Sequence, residues 1–224
     1  MDFEYSEKVE RLRTQLDDFM RYHIEPANRE WHQEVYAGRY PVALVERLKS
    51  RAFSEDLWNL FLPGLADTEP GQRLSNVEYA PLAEIMGRIH WAPEVFNCSA
   101  PDTGNMELLG LAATRAQRAE WLDPLLIGEI RSCFAMSEPD AASSDARNIR
   151  TSIAREGDCY VINGRKWFTT GALHPKLPVG DCDGRDGPGS RARFAATAFD
   201  GSGADGYARL AYHPQYSDHE LSFS

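Results

Sequence analysis

Apolar and aromatic residues in the first part of the chain recur at spacings of three and four. Val9, Leu12, Leu16, Phe19 and His23 form one such series, with Glu7, Lys8, Glu10, Arg11, Arg13 and Asp17 between them. That period is one face of an α-helix, so a helix is predicted from Ser6 to the approach of Pro26. A second is predicted from Pro41, with Val42, Leu44, Val45 and Leu48 facing inward. Proline suits a first turn because its missing N–H would lack a partner there anyway. Ser75 is a good N-cap for a third helix, carrying Val77, Leu82, Ile85 and Met86 and ending at Gly87, with Pro81 in its early turns. Another should cover Met106, Leu108 and Leu109. A last one should run from Gln117 to Ile130 with Trp121, Leu122, Leu125 and Leu126 inward. Between them lies the apolar run Leu57 to Leu62, closed by Pro63-Gly64. Residues 1–130 thus predict an all-α domain long enough to bury a core.

The period then changes to two. Arg131 to Ser137 is short, rich in apolar residues and stopped by Glu138-Pro139, and reads as a strand. Ile149, Thr151 and Ile153 alternate with Arg150, Ser152 and Ala154. Glu156-Gly157-Asp158 is a turn signal, and Cys159 to Ile162 is strand again. Asn163-Gly164 is the strongest short hairpin signal, since a type I′ turn needs positive φ at both central residues. Lys166 to Thr170 would be the return strand. Helices first and strands after define an α+β class with an antiparallel meander, not an alternating βαβ fold.

Charge and composition narrow the function classes. The 224 residues carry 24 basic and 34 acidic side chains, a formal net charge of −10. A phosphate-neutralising protein shows the opposite balance, so nucleic acid is not the expected partner. No apolar run approaches a bilayer span. The start, Met1-Asp2-Phe3-Glu4-Tyr5, is acidic, unlike a secretory or transit signal. Cys98, Cys133, Cys159 and Cys182 contain no C-x-x-C pair. They read as ordinary thiols of a cytoplasmic protein, with neither zinc site nor disulfide framework and no metal expected.

Two segments carry a resemblance. Phe134-Ala135-Met136-Ser137-Glu138-Pro139-Asp140-Ala141-Ala142-Ser143-Ser144-Asp145 resembles the first signature of the acyl-CoA dehydrogenases. Asn163-Gly164-Arg165-Lys166-Trp167-Phe168-Thr169-Thr170 resembles their second, at a fitting separation. Upstream, Trp121 to Ile130 and Asn97 to Met106 are similar to the family as well, the latter to a subgroup sometimes fused to a phosphotransferase-like kinase domain. The likeness covers about residues 5–174. The first motif departs from the commonest form, E-P-G-A-G-S-D: Asp140 and Ala142 stand near glycine positions and one extra residue precedes Asp145. Either Ser143 or Ser144 therefore takes the family's serine role, and Ser144 is favoured.

The resemblance implies a helical domain, 1–130, followed by an incomplete, β-barrel-like middle domain, 131–175. It implies FAD as cofactor. It also implies oxidation of an acyl-CoA thioester to the trans-2-enoyl thioester by removal of an α proton and a β hydride. Cofactor-binding residues would be Phe134, Ala135, Met136, Ser137, Ser144, Trp167, Phe168 and Thr169. Main-chain groups of Phe134, Met136 and Ser137 would face the flavin's pyrimidine side. Trp167 would pack on the ring, the Thr169 hydroxyl would reach the hydride-accepting nitrogen, and Ser144 would meet the pyrophosphate or substrate. Intact family members are homo-oligomers. Without the resemblance, Trp167 and Phe168 read as sheet core, Ser143-Ser144 as a turn, and Glu138 as a surface turn acid without a catalytic role.

After His174-Pro175 the expected likeness stops. Seven of the 17 glycines, interleaved with aspartates, fall in residues 176–224, and no period is sustained, so an irregular tail is expected. By resemblance the family continues with more sheet and a C-terminal helical domain carrying the catalytic carboxylate. The sequence reading expects a frameshift near residue 177 or a gene fragment, with no catalytic residue in this chain, weak FAD binding and a tendency to aggregate. Its alternative is a non-enzymatic remnant or helical interaction module without flavin. Gly201-Ser202-Gly203-Ala204-Asp205-Gly206 matches G-x-G-x-x-G but has too little chain around it for a βαβ unit. His213 and His219 lack metal-ligand spacing, and His23 and His90 are expected in helical segments without ligand roles.

Overall fold

The computed structural model describes residues 4–156, 159–172, 174–177, 208–209 and 220–223. The chain divides into two compact units, Met1–Ile130 and Arg131–Ser224.

The first unit is helical. Helix α1 spans Glu7–Phe19 and runs on through a π turn, Met20–Ile24. Ser6 caps it by accepting from the Val9 N–H at 3.3 Å. Val9, Leu12, Leu16 and Phe19 are buried, so the predicted stripe is the core face. Helix α2, Asn28–Tyr36, has no counterpart in the sequence reading. None of its residues is fully buried, and Trp31 packs half-buried against the core.

Helix α3 spans Ala43–Ser54 with Val42 as N-cap, so Pro41 precedes the helix rather than sitting in its first turn. Helix α4, Asn76–Met86, carries a full capping box: the Glu78 N–H donates to Ser75 Oγ at 3.4 Å, and the Ser75 N–H to Glu78 Oε2 at 2.9 Å. Pro81 is buried inside it. Val77, expected inward, lies on the solvent face at 82% exposure. A short α5, Ala92–Val95, follows, and His90 lies in the turn before it rather than in a helix. Helix α6 spans Asp102–Ala112 and buries Met106 and Leu109, while Leu108 is exposed.

The single helix expected over 117–130 is instead three pieces. They are α7, Arg115–Gln117, a π turn, Arg118–Leu122, and α8, Asp123–Leu126. Thr114 and Gln117 form the capping box that starts them. Pro124 lies at the start of α8, where its missing N–H costs nothing, and Gly128 at φ +71° follows its end.

The core joins α1, α3, α4, α6 and α8 to the buried loop residues Leu57, Trp58, Leu60, Phe61 and Leu62. Each such side chain, fully buried, contributes roughly 1.5–3 kcal/mol. A polar knot fixes that loop. Asn59 Nδ2 donates to the carbonyls of Leu126 at 2.8 Å and Pro70 at 2.9 Å. Trp58 Nε1 also donates to Leu126, at 2.8 Å. Asn97 Nδ2 donates to Asn59 Oδ1 at 2.7 Å and to the Leu125 carbonyl at 3.1 Å. The Leu126 carbonyl at the end of α8 is satisfied this way, while that of Leu125 also accepts the Gly128 N–H at 3.1 Å. No helix among the described residues is long and apolar enough to cross a membrane.

The second unit differs from its sequence reading in three ways. Arg131–Ser137 forms no strand, and an isolated bridge between Glu138 and Ala141 follows it. Strand β1 is Ser152–Glu156, and strand β2 is one continuous segment, Cys159–Trp167. They pair antiparallel from Ser152 opposite Asn163 to Glu156 opposite Cys159. Asn163-Gly164 is therefore strand, not hairpin, and the meander has two strands where three were expected. Gly164 also has no positive φ, which a type I′ turn would require.

The third difference lies in the span expected to be irregular. Two short strands are described there, β3, Ala208–Arg209, and β4, Glu220–Phe223. The first pairs parallel with Tyr160 and Val161, the second antiparallel with Gly164–Trp167. Strand β2 is thus the hub of the sheet. The G-x-G-x-x-G segment at 201–206, His213 and Cys182 lie outside the described residues.

Candidate functional site

The two motif segments meet along the end of β2. The Trp167 N–H donates to the Ser137 carbonyl at 3.1 Å. One residue back, Lys166 Nζ donates to the Met136 carbonyl at 2.9 Å and to Glu138 Oε1 at 2.8 Å. Successive strand residues point to opposite faces. Lys166 therefore turns into the unit and is buried, while Trp167 faces the other way and is half-exposed.

Glu138 is the residue that sequence reasoning misplaced. It is not a surface turn acid: it is 6% exposed. Its Oε1 accepts from Lys166 Nζ, from Thr151 Oγ1 at 2.6 Å and from the Thr151 N–H at 2.9 Å. Its Oε2 accepts from the Arg150 N–H at 2.8 Å. Burial pushes its carboxyl up. The bonds from Lys166, Thr151 and the two backbone amides outweigh that and hold it down to about 2. The available signal was the pairing of an acid in the first motif with a lysine in the second, but burial of that pair depends on the tertiary fold.

The serines separate cleanly. Ser143 is buried, and its Oγ accepts the Glu138 N–H at 2.7 Å. Ser144 is exposed beside it. Ser143 is the one built into the loop, and Ser144 is left at the surface.

Beyond Trp167 the backbone takes an unusual step. Phe168 has φ +49°, a conformation that costs a bulky residue energy and clusters at ligand sites. Its ring is 68% exposed and lies 4.7 Å from the Trp167 ring, centroid to centroid. Phe134 is exposed at 60%. Thr169 Oγ1 is buried and has no hydrogen-bond partner among the described residues. A buried hydroxyl without a partner is costly to a fold. Gly171, at φ +89°, lets the following turn lie directly on the Ser132 carbonyl, where a Cβ would come within 2.6 Å of it.

These residues are the ones expected from the sequence against one side of a flavin ring. An aromatic pair and an unpartnered buried hydroxyl follow one another at the junction of the two motifs, next to the strand end whose Trp167 N–H donates to the Ser137 carbonyl. Some main-chain groups expected to face the ring are committed internally. The Met136 N–H donates to the Phe134 carbonyl at 3.2 Å, and the Met136 and Ser137 carbonyls accept from Lys166 and Trp167. Ala135, half-buried, sits between them.

The N-terminal domain of the acyl-CoA dehydrogenase family matches residues 6–129, and its middle domain matches residues 133–214. The chain belongs to that family. The middle-domain match runs well past residue 175, where the sequence reading ended the likeness.

Acyl-CoA dehydrogenase family member 10 of Mus musculus is 52% identical over 178 residues, covering 78% of this chain and 17% of that protein. Probable acyl-CoA dehydrogenase FadE2 of Mycobacterium tuberculosis is 48% identical over 197 residues, covering 86% of this chain and 47% of that one. A solved structure from Mycobacterium abscessus, described as an acyl-CoA dehydrogenase, superposes with a TM-score of 0.69 at 45% identity, over 79% of this chain and 45% of that one. The chain thus spans between about a sixth and a half of the length of the curated relatives it matches.

Proposed function

We propose that this chain forms the helical domain and the flavin-facing strands of an FAD-dependent acyl-CoA dehydrogenase, which oxidises an acyl-CoA thioester to its trans-2-enoyl form. The observation that carries the reading is the unpartnered, buried Thr169 hydroxyl beside Trp167 and the left-handed Phe168. Family membership supports the cofactor. When bound, FAD supplies the acceptor for the substrate's β hydride.

The chain's own residues bind and orient. Trp167 gives a flat apolar surface for the ring, and Phe168 and Phe134 shield its rim from water. The Thr169 and Ser137 hydroxyls would donate to ring acceptors, and Ser144 to a phosphate oxygen of cofactor or substrate. Ala135 and Met136 complete the segment against which the ring would lie.

Proton abstraction is assigned to none of these. Glu138 is the buried carboxylate of the strand unit among the described residues, and its two oxygens already accept four donors. Held down to about 2, it is too weak a base to take a proton α to a thioester. Homo-oligomers are expected on family grounds.

The test is reconstitution with FAD followed by gel filtration. The reading expects a visible flavin band eluting with the protein. A colourless protein peak after incubation with excess FAD would sink it.

A further inference from the structure

A buried ion pair does not pay its own way. Two desolvated charges seldom stabilise a fold more than apolar residues of equal volume would, so such a pair calls for a reason in specificity of arrangement. Glu138 and Lys166 lie 28 residues apart, and their side chains are 5% and 6% exposed.

What they join is informative. Glu138 ties the end of the first motif to Arg150 and Thr151, at the entrance to β1. Lys166 ties β2 to Met136. The residue preceding Glu138 is Ser137, and the residue following Lys166 is Trp167. Those two are themselves joined by the Trp167 N–H to the Ser137 carbonyl. Lys166 and Trp167, successive in β2, face opposite ways, so the Lys166 end of the pair lies on the face away from the Trp167 ring. A one-residue slip of β2 would carry Lys166 to the front and Trp167 to the back. It would leave Glu138 buried without its counter-charge.

Resting on the flavin reading above, we infer that the Glu138–Lys166 pair is a register clamp whose positioning residues fix how Ser137, Trp167 and Thr169 face the isoalloxazine ring. The clamp touches neither cofactor nor substrate. It acts through the backbone it locks, and it needs both charges.

The test combines amide hydrogen exchange on the cofactor-free chain with FAD affinity and the reduction potential of the bound flavin. In Glu138→Gln, the Trp167 and Thr151 amides lose roughly tenfold or more of their protection, while amides of α1 and α4 keep theirs. FAD affinity falls about tenfold, and the potential of the flavin that still binds shifts. Lys166→Met does the same, and Lys166→Arg, which keeps the charge, recovers most of both. Thr151→Val removes one donor but keeps the pair, and gives smaller shifts in the same direction.

Unchanged exchange at Trp167 in both Glu138→Gln and Lys166→Met overturns the clamp. Lost protection with FAD affinity and potential unchanged overturns its positioning role. A wild-type chain that binds no FAD overturns the flavin reading instead, and the exchange arm then decides the clamp alone.

Discussion

Gly164 and Thr151 pass so close that a Cβ on the glycine would lie 2.8 Å from Thr151 Cβ and 2.9 Å from its Cα. Both are backbone or stem atoms that cannot swing aside. Thr151 is in turn held by its N–H and hydroxyl to Glu138. The glycine is thus required by a close strand approach, not by a turn.

Gly164→Ala should therefore strain the strand unit by about 1–3 kcal/mol. Urea unfolding, followed at a probe in the second unit, should show a lowered midpoint there. The helical unit should unfold at its wild-type midpoint. An unaltered strand unit would mean that the close approach is absent in solution.

Asn59 is fully buried, and its amide serves two carbonyls and one neighbouring amide. It also sits at φ +48°, which asparagine tolerates better than apolar residues do. Asn59→Leu should destabilise the helical unit by about 2–4 kcal/mol, because the Pro70 and Leu126 carbonyls lose donors and the backbone is strained. Far-UV circular dichroism against denaturant reads this directly.

The adjacent serines should behave differently. Ser143→Ala deprives the buried Glu138 N–H of its acceptor and should cost roughly 1 kcal/mol of strand-unit stability. Ser144→Ala, at an exposed position, should leave stability within about 0.5 kcal/mol of wild type. Equal losses in the two variants would contradict the division of roles.

Glu138 also sets an acid sensitivity. Its folded-state carboxyl is held down to about 2 against an ordinary value of 4.5. Its contribution is fully present above 4.5 and is lost as pH falls through 2, because protonation removes the acceptor for Lys166 and the amides. That contribution is at most on the order of 3 kcal/mol. Stability of the strand unit should fall over that window, and Glu138→Gln should flatten the fall. The same slope in wild type and variant would place the acid sensitivity elsewhere.

What could be read from the sequence was local chemistry. Ser6 and Ser75 cap helices because each needs only its own next three residues, and the α1 stripe follows from period alone. Helix α2 escaped because it buries none of its residues fully. Asn163-Gly164 misled because glycine has two uses, and the one operating here depends on Thr151 at the entrance to β1. Arg131–Ser137 has strand composition, but its carbonyls go to Lys166 and Trp167 rather than to a ladder. The two motifs singled out Trp167, Phe168 and Thr169, and the rings of the first two lie 4.7 Å apart. The charge pair behind them was not, since a buried acid looks like a surface acid until its lysine is placed.

The central claim is that the junction of the two motifs is a flavin site completed by Thr169. The most direct measurement is a fluorescence titration of FAD with the wild-type chain and with Thr169→Val, which keeps shape and removes the hydroxyl. The account predicts saturable binding by wild type and affinity roughly five- to tenfold weaker in the variant, as expected for one lost hydrogen bond. Identical affinity in the two proteins, or no saturable binding by the wild type, would contradict it.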